Sequence, residues 1–419
     1  MKLAPSSEKD FESEVRNIAR QLWPDSGYNG AITLEGKERD SIFVTDEVVH
    51  YLEITTSKSE KNTTDNIKKI EKLIPILQAK YAGRIIKGWY ITRHELTGEQ
   101  GRHFQPPPPF IFHATYHQFL SKLIDSRNYL NLREQMAFGS ARSVEDNSIS
   151  FPDGEFVPSE LRDYDTGKTV SYHSFRRSFI KQQQKHLITG EFGVGKSMLA
   201  RQLFLELAKA HRDGQDFCFP VYINLRDHID AQFPYLCLMK HATSVGFPRP
   251  EELVRAWRAG YVYLILDGFD ELTPTISTKD VRRAKDLRRS ALELVRRFID
   301  ESGHNTSMLV TGRSNFFDST EDLVDCLGIK NGWNKLFISD FNEEQAKIYL
   351  RKKGYANSLP GWLPRRPLLI GYLAARQLIP EHNQTSEGHD NDHVIGWRYL
   401  LEAIAKREVD QVYIALDPK

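Results

Sequence analysis

The stretch that decides the fold is Gly190-Glu191-Phe192-Gly193-Val194-Gly195-Lys196-Ser197, which satisfies the pattern GxxxxGK[ST] at every position. His186 to Thr189 before it reads as a strand, and Met198 to Ala208 after it reads as a helix. A glycine-rich turn joining a strand to a helix is the context the pattern requires. Gly190, Gly193 and Gly195 let backbone N–H groups curl around phosphate oxygens, and the following helix turns its positive end towards them. Lys196 is then in reach of the β- and γ-phosphates of ATP, and the Ser197 hydroxyl is placed to ligate Mg²⁺. Glu191, Phe192 and Val194 complete the same loop.

Further along, Val262-Tyr-Leu-Ile-Leu266 is an apolar strand that ends in Asp267-Gly-Phe-Asp270-Glu271. A buried strand delivering a carboxylate at its C-terminal end is where a phosphate-loop sheet places its magnesium-binding aspartate. Asp267 is the metal candidate, and either Asp270 or Glu271 is placed to orient an attacking water. A third strand, Met308 to Thr311, runs into Gly312-Arg313, whose guanidinium can neutralise γ-phosphate charge. Phe219 to Asn224 supplies another buried strand. Val281 to Ile299 reads as one amphipathic helix with Leu287, Ala291, Leu292, Val295 and Phe298 inward. Strands alternating with helices predict an α/β fold whose parallel sheet is covered on both faces.

The loop at Gly190–Ser197, the box Leu266-Asp-Gly-Phe-Asp-Glu-Leu272 and Thr311-Gly-Arg313 together resemble the NACHT family of STAND ATPases. Phe337-Ile-Ser-Asp-Phe-Asn-Glu-Glu and Arg366-Pro367-Leu-Leu resemble the helical segment of that family, where the proline lies near the adenine. The resemblance spans about residues 180–419, and it divides this part into a P-loop ATPase domain at 171–340 and a helical segment at 341–419. It implies a nucleotide-driven switch, with an ADP-bound resting form and an ATP-bound form that assembles into a homo-oligomer once a trigger is sensed. STAND proteins usually carry a C-terminal repeat or sensor region, whereas Asp417-Pro-Lys419 follows a helical stretch directly. The resemblance therefore implies a sensor outside this sequence.

Residues 1–138 form a separate segment, followed by a connector at 139–170 that is rich in Ser, Asp and Gly. The segment opens with a helix carrying Phe11, Val15, Ile18, Ala19 and Leu22. Strand-like runs follow at 31–34, 41–44 and 48–55, then a helix with Ile67, Ile70, Leu73, Ile74 and Leu77, then a strand at 85–92. Glu14 lies on the apolar face of the first helix, where a carboxylate is either paired or functional. Asp40 begins the second strand, and Val49, Tyr51, Glu53 and Thr55 share one face of the third. Asp40 and Glu53 are then expected to meet, with Glu14 nearby, and such a cluster suits Mg²⁺. The layout resembles the PD-(D/E)xK restriction-endonuclease-like nucleases found fused to NACHT ATPases in bacterial antiphage proteins. That resemblance implies Asp40 and Glu53 as metal ligands, Glu14 as the helix-borne acid, and DNA as substrate. The position of the family's lysine, two residues after the glutamate, is Thr55; Lys58, or Lys68 or Lys69 on the next helix, is the available substitute. The tract from Tyr129 to Arg142 also resembles the connector of such fusions.

Composition narrows the remaining classes. A net charge of +1 gives no global preference for nucleic acid, so any DNA contact must be local. Three widely spaced cysteines with no CxxC argue for a reducing, cytoplasmic setting and against structural zinc. The longest apolar run, Tyr261 to Leu266, is too short to cross a bilayer. The arginines at 282, 283, 288, 289, 296 and 297 read as a solvated helix face with Asp286 and Glu293 as partners. His113, His117 and His186 read as structural. Two functions compete: an ATP-gated switch on a nuclease, or a signalling scaffold whose first domain is an inactive adaptor.

Overall fold

The computed structural model describes residues 7–26, 32–34, 37–39, 41–139, 141, 156–181, 184–272, 281–303, 306–315, 317–356, 359–375, 377–379 and 398. Asp40, Arg142 and the residues beyond 379 other than Arg398 lie outside the described residues. Element order shows the α/β class throughout.

The first part opens with helix α1 (Glu8–Leu22), whose N-cap Ser7 accepts a hydrogen bond from the Asp10 N–H. Phe11, Val15 and Ile18 on one face are fully buried, which stabilises the helix by roughly 1.5–3 kcal/mol for each side chain taken from water. A hairpin of β1 (Ile32–Leu34) and β2 (Lys37–Arg39) follows. The main sheet comprises β3 (Ser41–Val44), β4 (Val48–Thr55), β5 (Ile85–Thr92) and β6 (Ile111–Thr115), in that spatial order. β3 runs antiparallel to β4, and β4, β5 and β6 are parallel. Helix α2 (Glu60–Lys80) crosses between β4 and β5. α3 (Gly98–Arg102), α4 (Tyr116–Leu120) and α5 (Ser126–Glu134) complete this part. The alternation along β4 splits its side chains: Leu52 and Ile54 pack with α1, and Val49 and Tyr51 pack with α2.

The second part begins with β7 (Leu161–Asp163), β8 (Thr169–Val170), α6 (Tyr172–Lys181) and β9 (Lys185–Thr189). It continues through α7 (Lys196–Arg212), β10 (Phe219–Asn224), α8 (Pro234–Ser244), α9 (Pro250–Arg258) and β11 (Val262–Asp267). Then come α10 (Val281–Ala291), α11 (Glu293–Glu301), β12 (Met308–Gly312), α12 (Thr320–Leu327), β13 (Asn334–Ile338), α13 (Glu343–Lys352) and α14 (Pro367–Ala375). The sheet order is β10-β11-β12-β9-β13-β7-β8. The five strands from β10 to β13 are parallel, and β7 and β8 extend the edge antiparallel. β9 thus lies between two strands that come later in the chain, and the crevice at its C-terminal end is where an open α/β sheet binds ligands. The two parts share one continuous core that runs from Phe11 and Leu52 through Tyr129 to Phe204 and Leu264.

Three expectations change. The helix expected over Val281–Ile299 is two helices broken at Leu292, so the phase shifts and Leu287 is exposed, while Leu292, Val295 and Phe298 are buried. The arginine face is not simply solvated. Buried Arg288 pairs with Asp318 and Asp322 at 2.9 and 3.0 Å, and Arg296 donates to the last carbonyls of α12. The connector at 139–170 is also structured in part, since residues 161–163 pair with β13 and residues 169–170 pair with 161–162, contacts that local periodicity does not encode.

Burial holds the histidines neutral. His50, His113, His117, His186 and His228 are each pushed down to about 4. Between pH 4 and 6.5 the unfolded chain therefore binds more protons than the folded one, and folding stability rises with pH across that window. Their contribution is complete above pH 6.5 and is lost as pH falls towards 4. The melting temperature should drop steadily between pH 6.5 and 4.5, and a flat profile there would contradict these histidine environments.

Candidate functional site

The loop after β9 is built from backbone. Gly193 and Gly195 take positive φ angles of 79° and 101°, a region costly for residues with a side chain. Gly195 is the N-cap of α7 and offers no side-chain hydrogen bond to the first-turn amides. Those N–H donors are therefore left for an anion at the positive end of a 17-residue helix. Lys196 folds back so that its amine donates to the Gly190 and Glu191 carbonyls at 2.8 Å each. Desolvation lowers its pKa, with Asp270 and Asp267 opposing.

Facing the loop, Asp267 ends β11 with only 4% of its surface exposed. Its carboxylate accepts the Tyr222 hydroxyl at 2.6 Å on one oxygen and the Thr311 hydroxyl on the other. Neighbouring strands in the sheet supply both donors, as the register sets Asp267 beside Thr311 and beside Asn224. Asp270 is also buried, and it accepts the Arg313 N–H at 3.0 Å and faces the Arg313 Nε at 3.2 Å. The Arg313 guanidinium in turn lies 4.8 Å from the Phe192 ring. Glu271 is half-buried, and desolvation raises its carboxyl pKa against the opposing charge of Arg226, 4.0 Å away.

One cavity joins these groups. Lys196, Ser197, Asp267, Asp270, Glu271 and Arg313 line its polar end. Val157, Phe341, Tyr349, Pro367 and Leu368 line its apolar end, a shape suited to a flat base. The Leu368 N–H donates to the Gly193 carbonyl at 3.0 Å, so α14 rests on the loop through the residue after Pro367. The donor set fits a nucleotide with Mg²⁺: unshared helix amides and an amine for phosphate, and a hydroxyl and a carboxylate oxygen for a hard cation.

Pro367 lines the same cavity as Phe192, Gly193, Gly195, Lys196 and Ser197 of the loop, and Gly190, Glu191 and Val194 are not among its lining residues. Val157, Ser159, Tyr222 and Arg226 were not singled out from the sequence. Tyr222 sits inside an apolar strand and reads as core, and Ser159, which donates to the Val194 carbonyl at 3.2 Å, gives no local signal.

The first part holds a second polar cluster. Glu53 is 4% exposed, accepts the Tyr51 hydroxyl and lies 3.6 Å from the Lys69 amine. Lys69 also donates to Asn66 at 3.0 Å, and Thr55 donates to Asn62 at 3.3 Å. Of the lysines considered, Lys69 is the one that the described contacts pair with Glu53, although its side chain, like those of Lys58 and Lys68, is exposed. Glu14 does not sit on this face. It lies on α1, against the Leu52–Ile54 side of the sheet, and interacts with the Tyr116 hydroxyl, whose pKa is raised by burial and then by that carboxylate. Glu53 points to the α2 side because it is one residue out of phase with Leu52 and Ile54. Ser41 pairs with Leu52, and Asp40, the residue before it, lies outside the described residues.

Asp267→Asn keeps the shape of the site and removes its charge. Nucleotide affinity in Mg²⁺ should fall about 10–100-fold, the range for losing a charged partner, while affinity in EDTA stays unchanged. Equal affinities for both proteins in Mg²⁺ would remove Asp267 from the metal site.

Residues 184–356 match the family model of the NACHT domain, a span that runs from β9 through α13. No curated protein matches the chain. Among the described residues, no helix is long and apolar enough to cross a membrane. NACHT NTPases generally bind ATP and Mg²⁺. Residues 184–356 are thus a NACHT domain, which implies nucleotide-regulated signalling, and an α/β domain precedes them.

Proposed function

We propose that the chain is an ATP-driven switch whose NACHT domain controls the N-terminal domain. The observation that carries this reading is the buried Asp267 carboxylate facing the lysine and serine of the loop across one cavity. In this reading Lys196 exchanges the Gly190 and Glu191 carbonyls for β- and γ-phosphate oxygens, and Ser197 and Asp267 hold Mg²⁺. The metal spreads the negative charge of the transferring phosphoryl group. Asp270 grips Arg313 through its main-chain N–H and its Nε, which fixes the guanidinium towards the γ-phosphate. That engagement leaves Glu271, whose carboxyl pKa desolvation raises, to orient the water. Leu368 ties the helical segment to Gly193, so exchange of ADP for ATP is felt beyond the loop and leads to homo-oligomer assembly.

The finer reading assigns the N-terminal domain as a Mg²⁺-dependent DNA endonuclease acting in cytoplasmic antiphage defence, with a phage-derived trigger. It is supported by the buried Glu53 beside Lys69 at one face of a mixed sheet, and by the resemblance of the Asp40–Glu53 layout to PD-(D/E)xK nucleases. Asp40 and Glu53 would hold the metal, and Lys69 would take the lysine role left vacant by Thr55. Bound metal lowers the pKa of a water and stabilises the phosphate under attack. The alternative, a scaffold with an inactive adaptor, is favoured by Thr55 and by the placement of Glu14 with Tyr116. The domain limits that go with this reading are 1–138, 139–170, 171–340 and 341–419.

Plasmid and phage DNA incubated with the full chain, Mg²⁺ and ATP should be cut. Glu53→Ala and Asp40→Ala should abolish cutting with nucleotide binding intact, and Lys69→Ala should lower it strongly. Cutting that survives Glu53→Ala rejects this metal site, and a wild-type chain that never cuts under these conditions supports the scaffold.

A further inference from the structure

The end of α5 leads directly into the nucleotide site. Arg133, in the last turn of α5, is 1% exposed. Its guanidinium donates to the Tyr222, Met136 and Ala137 carbonyls at 3.1, 3.3 and 3.0 Å, and its Cζ lies 4.2 Å from the Phe138 ring. Phe138 meets Tyr222 edge-on at 5.0 Å. Asn224 accepts the Gly139 N–H at 2.6 Å and donates to the Ala137 carbonyl at 3.2 Å. Arg226 donates to the Gly139 carbonyl at 2.8 Å. Residues 133–139 are therefore seated along the C-terminal edge of β10 by the side chains and backbone of residues 222–226.

The seat ends at the metal position. Gly139 has a positive φ of 53°. A Cβ there would overlap the Asp267 carboxylate and stand 2.7 Å from the Ser197 hydroxyl. A side chain at 139 would have to displace both groups, the two read above as the metal ligands, so the Gly139 main chain lies close beside them. Mg²⁺ needs octahedral oxygen ligands at about 2.0–2.1 Å and keeps several waters. A hydrated Mg²⁺ held by Ser197 and Asp267 would need room beside Gly139.

We propose that residues 136–139 form an intramolecular plug over the magnesium position, and that Mg²⁺–nucleotide binding displaces it. The inference rests on the reading of Ser197 and Asp267 as metal ligands. Withdrawal of Gly139 breaks the Asn224 and Arg226 contacts. The release passes to Arg133 and so to α5, whose Tyr129 is bonded to His241 at 2.9 Å and whose Ser126 is bonded to His211 at 2.8 Å. It also frees Arg226, which lies beside Glu271. The occupancy of the metal site is thereby transmitted to the helix that closes the N-terminal domain.

The test uses the full chain, a fluorescent ADP and a titration of MgCl₂ from an EDTA-treated start. Gly139→Ala cannot seat, by overlap and by φ. Asn224→Ala removes the anchor and leaves Gly139 itself unchanged, which guards against a misfolded first variant. Both should lower the Mg²⁺ concentration for half-maximal binding about tenfold, the effect of removing a competing closed state, with ADP affinity in EDTA unchanged. In the wild type, amide hydrogen exchange across residues 133–139 should rise on adding MgADP but not on adding ADP with EDTA. A Mg²⁺ requirement that is unchanged or higher in both variants, or exchange that does not respond, overturns the plug. A wild-type chain that binds ADP in neither condition overturns the nucleotide reading itself.

Discussion

A carboxylate buried at the C-terminal edge of a parallel sheet is the constraint from which this structure is organised. Taking Asp267 out of water costs several kcal/mol unless its oxygens are satisfied. The sheet meets that cost through order: β10 supplies the Tyr222 hydroxyl from one side and β12 the Thr311 hydroxyl from the other. β9 then follows β12, and so brings Lys196 and Ser197 across from the same carboxylate. Asp270 repeats the solution one turn later with Arg313.

The same logic appears in the N-terminal domain, where Glu53 is buried between the Tyr51 hydroxyl and Lys69. The two domains are not loosely strung together. A single apolar core passes between them, and α5 is bolted to the NACHT domain by Tyr129, Ser126 and the guanidinium of Arg133. Arg133 carries a buried charge whose ionised form desolvation disfavours, and it is offset by three carbonyls and by aromatic faces. A buried cation in that position is costly to move, so it holds α5 firmly against β10.

What the sequence made legible was local. The glycines, lysine and serine from Gly190 to Ser197 act within eight consecutive residues, so their spacing alone reports the loop. The apolar strand ending in Asp267 is equally self-contained, and the α/β class follows from the alternation of elements. The remainder depends on contacts between distant residues. Tyr222 reaches Asp267 across 45 positions, and Asn224 reaches Gly139 across 85, so neither leaves a trace in any window. The break at Leu292 was hidden because both helices are amphipathic and only their phase differs. The grouping of Glu14 with Glu53 failed for a related reason. Helical spacing places Glu14 on an apolar face, but which face of the sheet receives α1 is a tertiary fact.

The central claim is that the loop from Gly190 to Ser197 and the Asp267 strand form one site for ATP with Mg²⁺. Titration calorimetry of ATP in MgCl₂ into the wild-type chain and into Lys196→Ala tests it most directly. The account predicts one saturable site per chain in the wild type and no measurable heat of binding in Lys196→Ala, with both proteins showing the same circular dichroism spectrum. Equal affinity in the two proteins would contradict it.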